Sequence, residues 1–526
     1  MRININNIIV SITRNQDKEI EKEIIKRGIE KNNIERVIWT KRSIDSRKKS
    51  DIKFVYNVEA ELKNHVDISK LKNISLVKKM EKIKRRALNS NEEVLVVGTG
   101  PAGLFAALRL VEYGYKPIII DRGEDVDSRD KTVDKFIKTG ELNENSNIQF
   151  GEGGAGTYSD GKLNTRIKSE YIEKVFDEFV ECGAQKEILW DYKPHIGTDV
   201  LKVVVKNLRE KIISLGGRFY FNNLLTNIII ENGEVQGAEI INNKGMLEKL
   251  PVEKIVLAIG HSSRDTYRML HKNGVFMENK PFAVGARIEH PREDIDKMQY
   301  GKFAGNKNLG AATYSLTYNN KEEERGVFSF CMCPGGVIVN AASEKGGTLV
   351  NGMSYSDRNG RFSNSALVVG IKENEFGNEL FSGMKFQEEL ERKTFGLVKN
   401  YGALYQSVPD FLEGKVTEKE IETSYEMKKT PYDLNRLFPE VITRNMKMAL
   451  NYWGKRYEGF VSERANLIAP ETRTSAPVKI TRNEFGESVN TKGLYPIGEG
   501  AGYAGGIVSA GVDGLKVIDL AFAEEI

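Results

Sequence analysis

The chain predicts an α/β fold built on a Rossmann-like dinucleotide-binding unit, and three stretches carry that prediction. The first is Val94 to Arg122, VLVVGTGPAGLFAALRLVEYGYKPIIIDR. It reads as an apolar strand, then Gly98, Gly100 and Gly103 in G-x-G-x-x-G spacing, then a helix with Leu104, Leu108 and Val111 on one face, then a second strand, Pro117 to Ile120, ending on Asp121. The second is a glycine cluster from Phe150 to Arg166, and the third is the glycine-rich end from Gly493 to Phe522.

Each glycine of the first stretch has a mechanical task. Gly98 lets the strand turn sharply, Gly100 lets backbone approach a pyrophosphate, and Gly103 lets helix pack on strand. The helix N-terminus offers free N–H groups and a positive dipole end to phosphates, while Asp121, about 20 residues beyond the first glycine, can accept a hydrogen bond from a ribose 2′-hydroxyl. An ordinary glycine turn is the competing reading. The strand before, the helix after and the terminal acid favour the dinucleotide.

The whole chain sets the bounds. At 526 residues it is too long for one core, and about 150 residues per domain suggests three domains. Lys plus Arg number 78 against 74 for Asp plus Glu, a net charge of +4 that gives no case for nucleic acid or a membrane surface. The opening MRININNIIVSITRNQ has neither the apolar core nor the cleavage site of a secretory signal, and no segment approaches the roughly 18 apolar residues of a membrane span. A soluble cytoplasmic protein is expected. Cys182, Cys331 and Cys333 are too few and too unevenly spaced for a secreted disulfide framework.

Residues 1–90 read as a small α+β module: a strand from Ile5 to Thr13, an amphipathic helix from Asp17 to Lys31, and strands at Glu35 to Ser43 and Lys53 to Leu62 around the charged turn RSIDSRKKSD. The basic stretch VKKMEKIKRRAL, Val77 to Leu88, reads as a helix. A solvated linker is the favoured reading over a nucleic-acid or partner surface.

Residues 91–265 together with 466–526 read as the nucleotide-binding domain. After Asp121 a charged helical segment runs to about Glu144. Five of the eleven residues from Gly151 to Gly161 are then glycine, a density no helix or strand interior favours, since each costs about 1 kcal/mol there. Backbone must pass close to something, and the aromatics Phe150 and Tyr158 favour a wrapped ligand over a free surface loop. Helices follow at Ile172 to Cys182 and Asp199 to Leu215, then a hairpin turning at Asn232-Gly233, then a buried strand, Lys254 to Ile259, ending in Gly260-His261-Ser262.

Residues 266–465 mix strand-like runs such as Pro281 to His290 and Gly335 to Ala342 with helical ones such as Gly383 to Tyr401, and read as an inserted α+β substrate domain. They hold no second strand-glycine-helix fingerprint, which an enzyme with its own NAD(P) domain would show. A resident flavin served by outside donors fits better. At the end, a strand at Leu494 to Ile497 runs into Gly498-Glu499, a loop with Gly500, Gly502, Gly505 and Gly506, and a helix from Ile507. That helix N-terminus suits the flavin edge where negative charge gathers on reduction.

Taken together the motifs resemble the glutathione-reductase-type FAD fold, and the chain is similar to the widespread, uncharacterised FAD-dependent dehydrogenases of bacteria. The matching residues are FGEGGAGTYSDGK (150–162), AIGHSSRDT (258–266), GARIEHP (285–291), FCMCPGG (330–336), NGMSYSDR (351–358) and IGEGAGYAGGIVSAGVDG (497–514). The resemblance implies FAD held by Gly98, Gly100, Pro101, Ala102, Gly103, Asp121 and Arg122, with Gly153, Gly154, Gly156, Thr157 and Lys162 near the pyrophosphate and flavin. It places Leu225 near the adenine and Gly498, Glu499, Gly506 and Ile507 around the ribityl chain and ring, with Gly260, beside the dinucleotide, and Gly505 as further cofactor-binding candidates. Glu499 is a departure, because related flavoproteins often carry Asp there.

For chemistry, His290 is an acid–base candidate and Cys333, paired with Cys331, a redox candidate, each against a structural reading. Arg287 is considered for a substrate carboxylate and Lys162 for the flavin N5 or O4 edge. No metal site is expected. The resulting expectation is an FAD-dependent oxidoreductase that moves a hydride between a small organic substrate and FAD, with NAD(P)H or a protein electron carrier as external donor. The alternative is a structural or sensing flavin whose N-terminal module engages RNA or a protein partner.

Overall fold

The computed structural model describes residues 1–77, 85–88 and 92–525. At its centre the apolar run Val94–Val97, buried at every position, pairs in parallel with Ile118–Ile120 on one side and Lys254–Leu257 on the other. Runs apolar on both faces are what a sheet covered by helices requires. Leu494–Pro496 and Arg218–Tyr220 add the two edges, giving five parallel strands in the order 494, 254, 94, 118, 218. Helices Pro101–Glu112 and Ile507–Phe522 cross in close contact: a Cβ at Gly514 would overlap the Ala102 carbonyl, and one at Gly511 would stand 2.8 Å from the Phe105 ring. The expected hairpin forms between Leu224–Glu231 and Glu234–Ile241, and Leu247–Leu250 extends it to three antiparallel strands.

A second, seven-stranded sheet orders Thr317–Asn320, Arg325–Cys333, Phe362–Ile371, Phe282–Pro291, Asn466–Glu471, Gly402–Ser407 and Lys428–Pro431. Only the last pair is parallel. Asn466–Glu471 pairs along the central strand, with Asn466 opposite Glu289, so this domain takes in residues beyond the expected boundary at 465.

The N-terminal module forms a four-stranded antiparallel sheet, Ile34–Asp45, Lys53–Leu62, Arg2–Ser11 and Ile74–Leu76, with helix Gln16–Lys26. Among the described residues it has no separate core. Ile3, Ile5, Val10, Phe54 and Tyr56 share one continuous apolar cluster with Ile288, Val327, Leu367 and Trp453 of the seven-stranded domain. Of the basic stretch expected to be helical, residues 78–84 lie outside the described residues. Its end differs from the expectation: Arg85–Ala87 pairs as a strand with Ala523–Glu525, because the C-terminus supplies an open edge beside it. No helix among the described residues is long and apolar enough to cross a membrane.

Candidate functional site

The fingerprint loop turns at Gly98, whose φ of +100° only glycine adopts without strain, and a Cβ there would overlap the Ala258 carbonyl of the neighbouring strand. Gly103 sits equally tightly on the Gly98 carbonyl. The helix begins at Pro101 on an extended Gly100 that has no side-chain cap among the described residues, which leaves its first-turn amides open. Asp121 closes this end. Its Oδ2 accepts from the Thr99 N–H at 2.9 Å and the Thr99 hydroxyl at 2.6 Å, and its Oδ1 accepts from the Gly123 N–H at 2.9 Å. With two acceptor positions per oxygen, one position on Oδ1 stays available to a hydroxyl.

The second glycine cluster owes its density partly to a residue that sequence reasoning passed over. Arg129 is wholly buried and donates to the carbonyls of Asn147, Ile148, Gly151, Glu152 and Gly154, so the loop is folded around a guanidinium. This presses Gly154, at φ +63°, against Gly100, where an added Cβ would stand 3.2 Å from the Gly100 Cα.

These two loops, the Ala258–Ser263 turn and the Gly505–Ile507 turn enclose one cavity of about 310 Å³. Its far wall comes from the seven-stranded domain through Phe330, Cys331, Asn351, Glu471, Arg473 and Thr474. A wider hollow of about 650 Å³ adjoins it, sharing Phe330, Thr474 and Gly505.

Titratable groups meet where that far wall faces the Ala258–Ser263 and Glu499 turns. Burial pushes the Glu471 carboxyl up to about 7 even though Arg287 lies 3.2 Å away. Glu499 also rises to about 7 through burial, with Lys280 opposing. His261 is held down to about 4, first by burial and then by Arg473 and Arg264, so its Nδ1, 3.9 Å from Glu499, is neutral at neutral pH. Arg473 is fixed by Ser343, Glu344 and Glu391, and Glu391 also pairs with Arg264, locking the two domains together beneath the cavity.

Of the expected cofactor residues, Gly98, Gly100, Pro101, Ala102, Asp121, Arg122, Gly154, Gly156, Lys162, Leu225, Gly260, Glu499, Gly505, Gly506 and Ile507 line the cavity. Gly103, Gly153, Thr157 and Gly498 stand behind it. Gly498, for example, donates to Asp513 and abuts Ala102.

The expected catalytic residues are placed differently. Strand alternation turns Ile288 and His290 to the face covered by helix Glu440–Gly454 and Phe460, where His290 bonds the Phe460 carbonyl at 2.8 Å and does not line the cavity. Cys333 is fully buried, and Cys331 faces the cavity in its place. Arg287 cannot reach a substrate carboxylate: it is wholly buried and bonded to Glu471, Asn364, the Cys331 carbonyl and the Cys333 sulfur. Cys331, Glu471, His261 and Arg473 are the wall residues missed. Glu471 had no spacing to flag it, whereas the His261 and Cys331 motifs had already stood out.

The cavity fits a flavin dinucleotide. A Cβ added at Gly260, Gly505 or Gly506 meets no described atom within 4 Å, so these glycines face open space. Two buried polar nitrogens on its wall, Lys162 Nζ and His261 Nε2, make no hydrogen bond among the described residues; Lys162 forms an ion pair with Asp160 at 3.5 Å. Two uncapped helix N-termini, at Pro101 and Ile507, open on the same space. A Rossmann-like parallel sheet with such a cavity at the ends of its strands is a dinucleotide-binding architecture.

Comparison with known proteins narrows this. Residues 91–133 match the family described as FAD binding domain, residues 281–474 match FAD-dependent protein, C-terminal domain-like, and residues 2–61 match a domain of unknown function. An uncharacterised protein of Clostridium beijerinckii is 47% identical over 529 residues, covering 99% of this chain and 98% of its own. The chain belongs to this bacterial family of FAD-dependent proteins, and FAD is its cofactor. Among solved structures, a flavoprotein/dehydrogenase of Cytophaga hutchinsonii is 11% identical, covering 82% of this chain and 76% of that one, with a TM-score of 0.36. A geranylgeranyl bacteriochlorophyll reductase-like protein of Thermoplasma acidophilum is 13% identical, covering 81% and 76%, with a TM-score of 0.34. At these scores neither likeness bears on the site.

Proposed function

We propose that this FAD-dependent oxidoreductase exchanges a hydride with a small organic substrate in the cavity between its two sheets, in a glutathione-reductase-type arrangement. The observation that carries the reading is that three glycine segments far apart in sequence, Gly98–Gly100, Gly154–Gly156 and Gly505–Ile507, line one cavity. The arrangement is further supported by the five parallel strands and the three-stranded antiparallel sheet inserted among them.

Bound there, FAD supplies two-electron chemistry at its isoalloxazine ring. The open first-turn amides of Ala102 and Gly103 and the backbone of Gly154 to Gly156 hold the pyrophosphate, and the remaining acceptor position of Asp121 takes a ribose hydroxyl. The Ile507 helix N-terminus presents a positive dipole end to the ring edge that gains negative charge. Lys162 and His261 give their unpaired N–H groups to the same group.

Glu471 handles the proton. Above about pH 7 its carboxylate accepts the proton that a substrate loses on oxidation, and below it the acid returns one in the reverse direction. Phe330 and Thr474 border both the cavity and the wider hollow, which we assign as the route for substrate and for an external donor, NAD(P)H or a protein carrier. Anaerobic addition of NADH, NADPH and reduced carriers in turn, following flavin absorbance, tests the reading: purified protein carries flavin and one donor bleaches it. Protein that stays colourless after FAD is added and the excess removed overturns it.

A further inference from the structure

The strand Arg325–Cys333 changes step where it meets the cavity. Phe330 lies opposite Ala366 but Cys333 lies opposite Asn364, so three steps on one strand answer two on its partner, a β-bulge. Within the bulge Cys331 takes φ +43°, which a non-glycine residue seldom adopts. The distortion re-aims the chain. Cys331 reaches the cavity wall, and Cys333, two residues on, lies directly behind it with no exposure. The Cys333 thiol donates to the Cys331 carbonyl at 3.4 Å.

A built polar setting surrounds the pair. Arg287 donates to the Cys331 carbonyl at 2.8 Å and to the Cys333 sulfur at 3.5 Å, so a fixed positive charge backs both residues. The same guanidinium holds Glu471, and Lys162 lies on the same cavity wall. Cys333 is the main reason the Cys331 thiol is lowered from its ordinary range; Lys162 and Arg287 assist against burial. Cys333 moves the other way, up, through burial and its bond to Cys331. Cys182 belongs to another core and shares none of this.

We propose that Cys331 and Cys333 form a redox-active dithiol that exchanges an electron pair with the FAD, an inference that rests on FAD occupying this cavity. Starting from two thiols, the Sγ–Sγ bond forms and both S–H bonds break. Two electrons and one proton pass to the isoalloxazine ring, and the second proton passes to Glu471. The reverse transfer reopens the bond. A disulfide closed between residues two apart is strained and so readily reduced, which suits a pair that must both give and take electrons.

An anaerobic dithionite titration of the holoprotein, after treatment with diamide and its removal, tests this, together with maleimide mass-tagging of the unfolded chain. Wild type takes up about four electrons per FAD, two for the flavin and two for the disulfide, and its tag count rises from one, at Cys182, to three on reduction. Cys331→Ser and Cys333→Ser take up about two. Cys333→Ser, which leaves the Cys331 thiolate in the cavity, shows a long-wavelength charge-transfer absorbance with oxidised FAD. Wild type that takes up about two electrons and carries three tags after diamide overturns the proposal while leaving the FAD reading intact. Protein that retains no flavin overturns both, and its missing flavin absorbance marks that case; the wild-type measurements decide the matter even where a variant fails to fold.

Discussion

The two ends of the cavity are built by different means. The end at Gly98, Gly100 and Asp121 is backbone: tight turns, open amides and one carboxylate already occupied by its own loop. The end at Glu471, Cys331 and Arg287 is side chain, assembled from strands whose contacts join residues 44 to 184 apart and dominated by burial of charge. Backbone recognition of a phosphate is local and needs only a spacing. A proton-handling group shifted to neutral pH needs a low-dielectric wall, which only packing between distant segments provides.

Four substitutions break or sharpen that contrast, from the largest effect down. Gly98→Val places a side chain on the Ala258 carbonyl at a φ of +100°, and is expected to cost more than about 3 kcal/mol and abolish FAD retention. Flavin absorbance after gel filtration and thermal unfolding read this out. Glu471→Gln acts only at the other end: FAD stays bound, turnover falls by about 10²–10⁴, and the limb near pH 7 disappears from the pH–rate profile. Loss of flavin in that variant would mean that the two ends are not separable.

Glu499→Gln probes the burial of charge itself. A carboxyl raised from 4.5 to about 7 contributes its stability fully below pH 4.5, and that stability is lost as pH rises through 7, because the folded chain resists ionisation. The apoprotein should therefore lose about 3 kcal/mol across this window from Glu499 alone, and the glutamine variant should not. Thermal unfolding at pH 5 and pH 8 compares them; equal slopes would refute the assignment. Asp121→Ala has the smallest effect, weakening FAD binding about 10- to 100-fold through the lost ribose acceptor and the freed Thr99 loop, with turnover of the loaded enzyme unchanged. Equilibrium titration of apoprotein with FAD measures it.

How far each end was legible follows the same division. The glycine spacings located the phosphate-binding loops because a Cβ at Gly98 or Gly103 collides with backbone whatever the rest of the chain does. Strand alternation correctly separated His290 from Arg287 and Glu289, but it could not say which face meets the cavity, since that depends on where helix Glu440–Gly454 and Phe460 pack, far along the chain. Cys333 was favoured over Cys331 for want of the bulge, which exists only in the pairing of Arg325–Cys333 with Phe362–Ile371. Glu471 carries no motif, and its shift arises entirely from the strands and side chains packed around it.

By itself, then, the order of residues determined a nucleotide-binding α/β unit, the glycine turns that approach its cofactor and the acid that ends its second strand, because these depend on steric limits within a few residues. Tertiary structure alone decided which thiol faces the cavity, that the Glu471 and Glu499 carboxyls are poised near neutral pH, and that the N-terminal module shares its core with the seven-stranded domain. Those outcomes come from desolvation and strand register, and both are properties of segments brought together from across the chain.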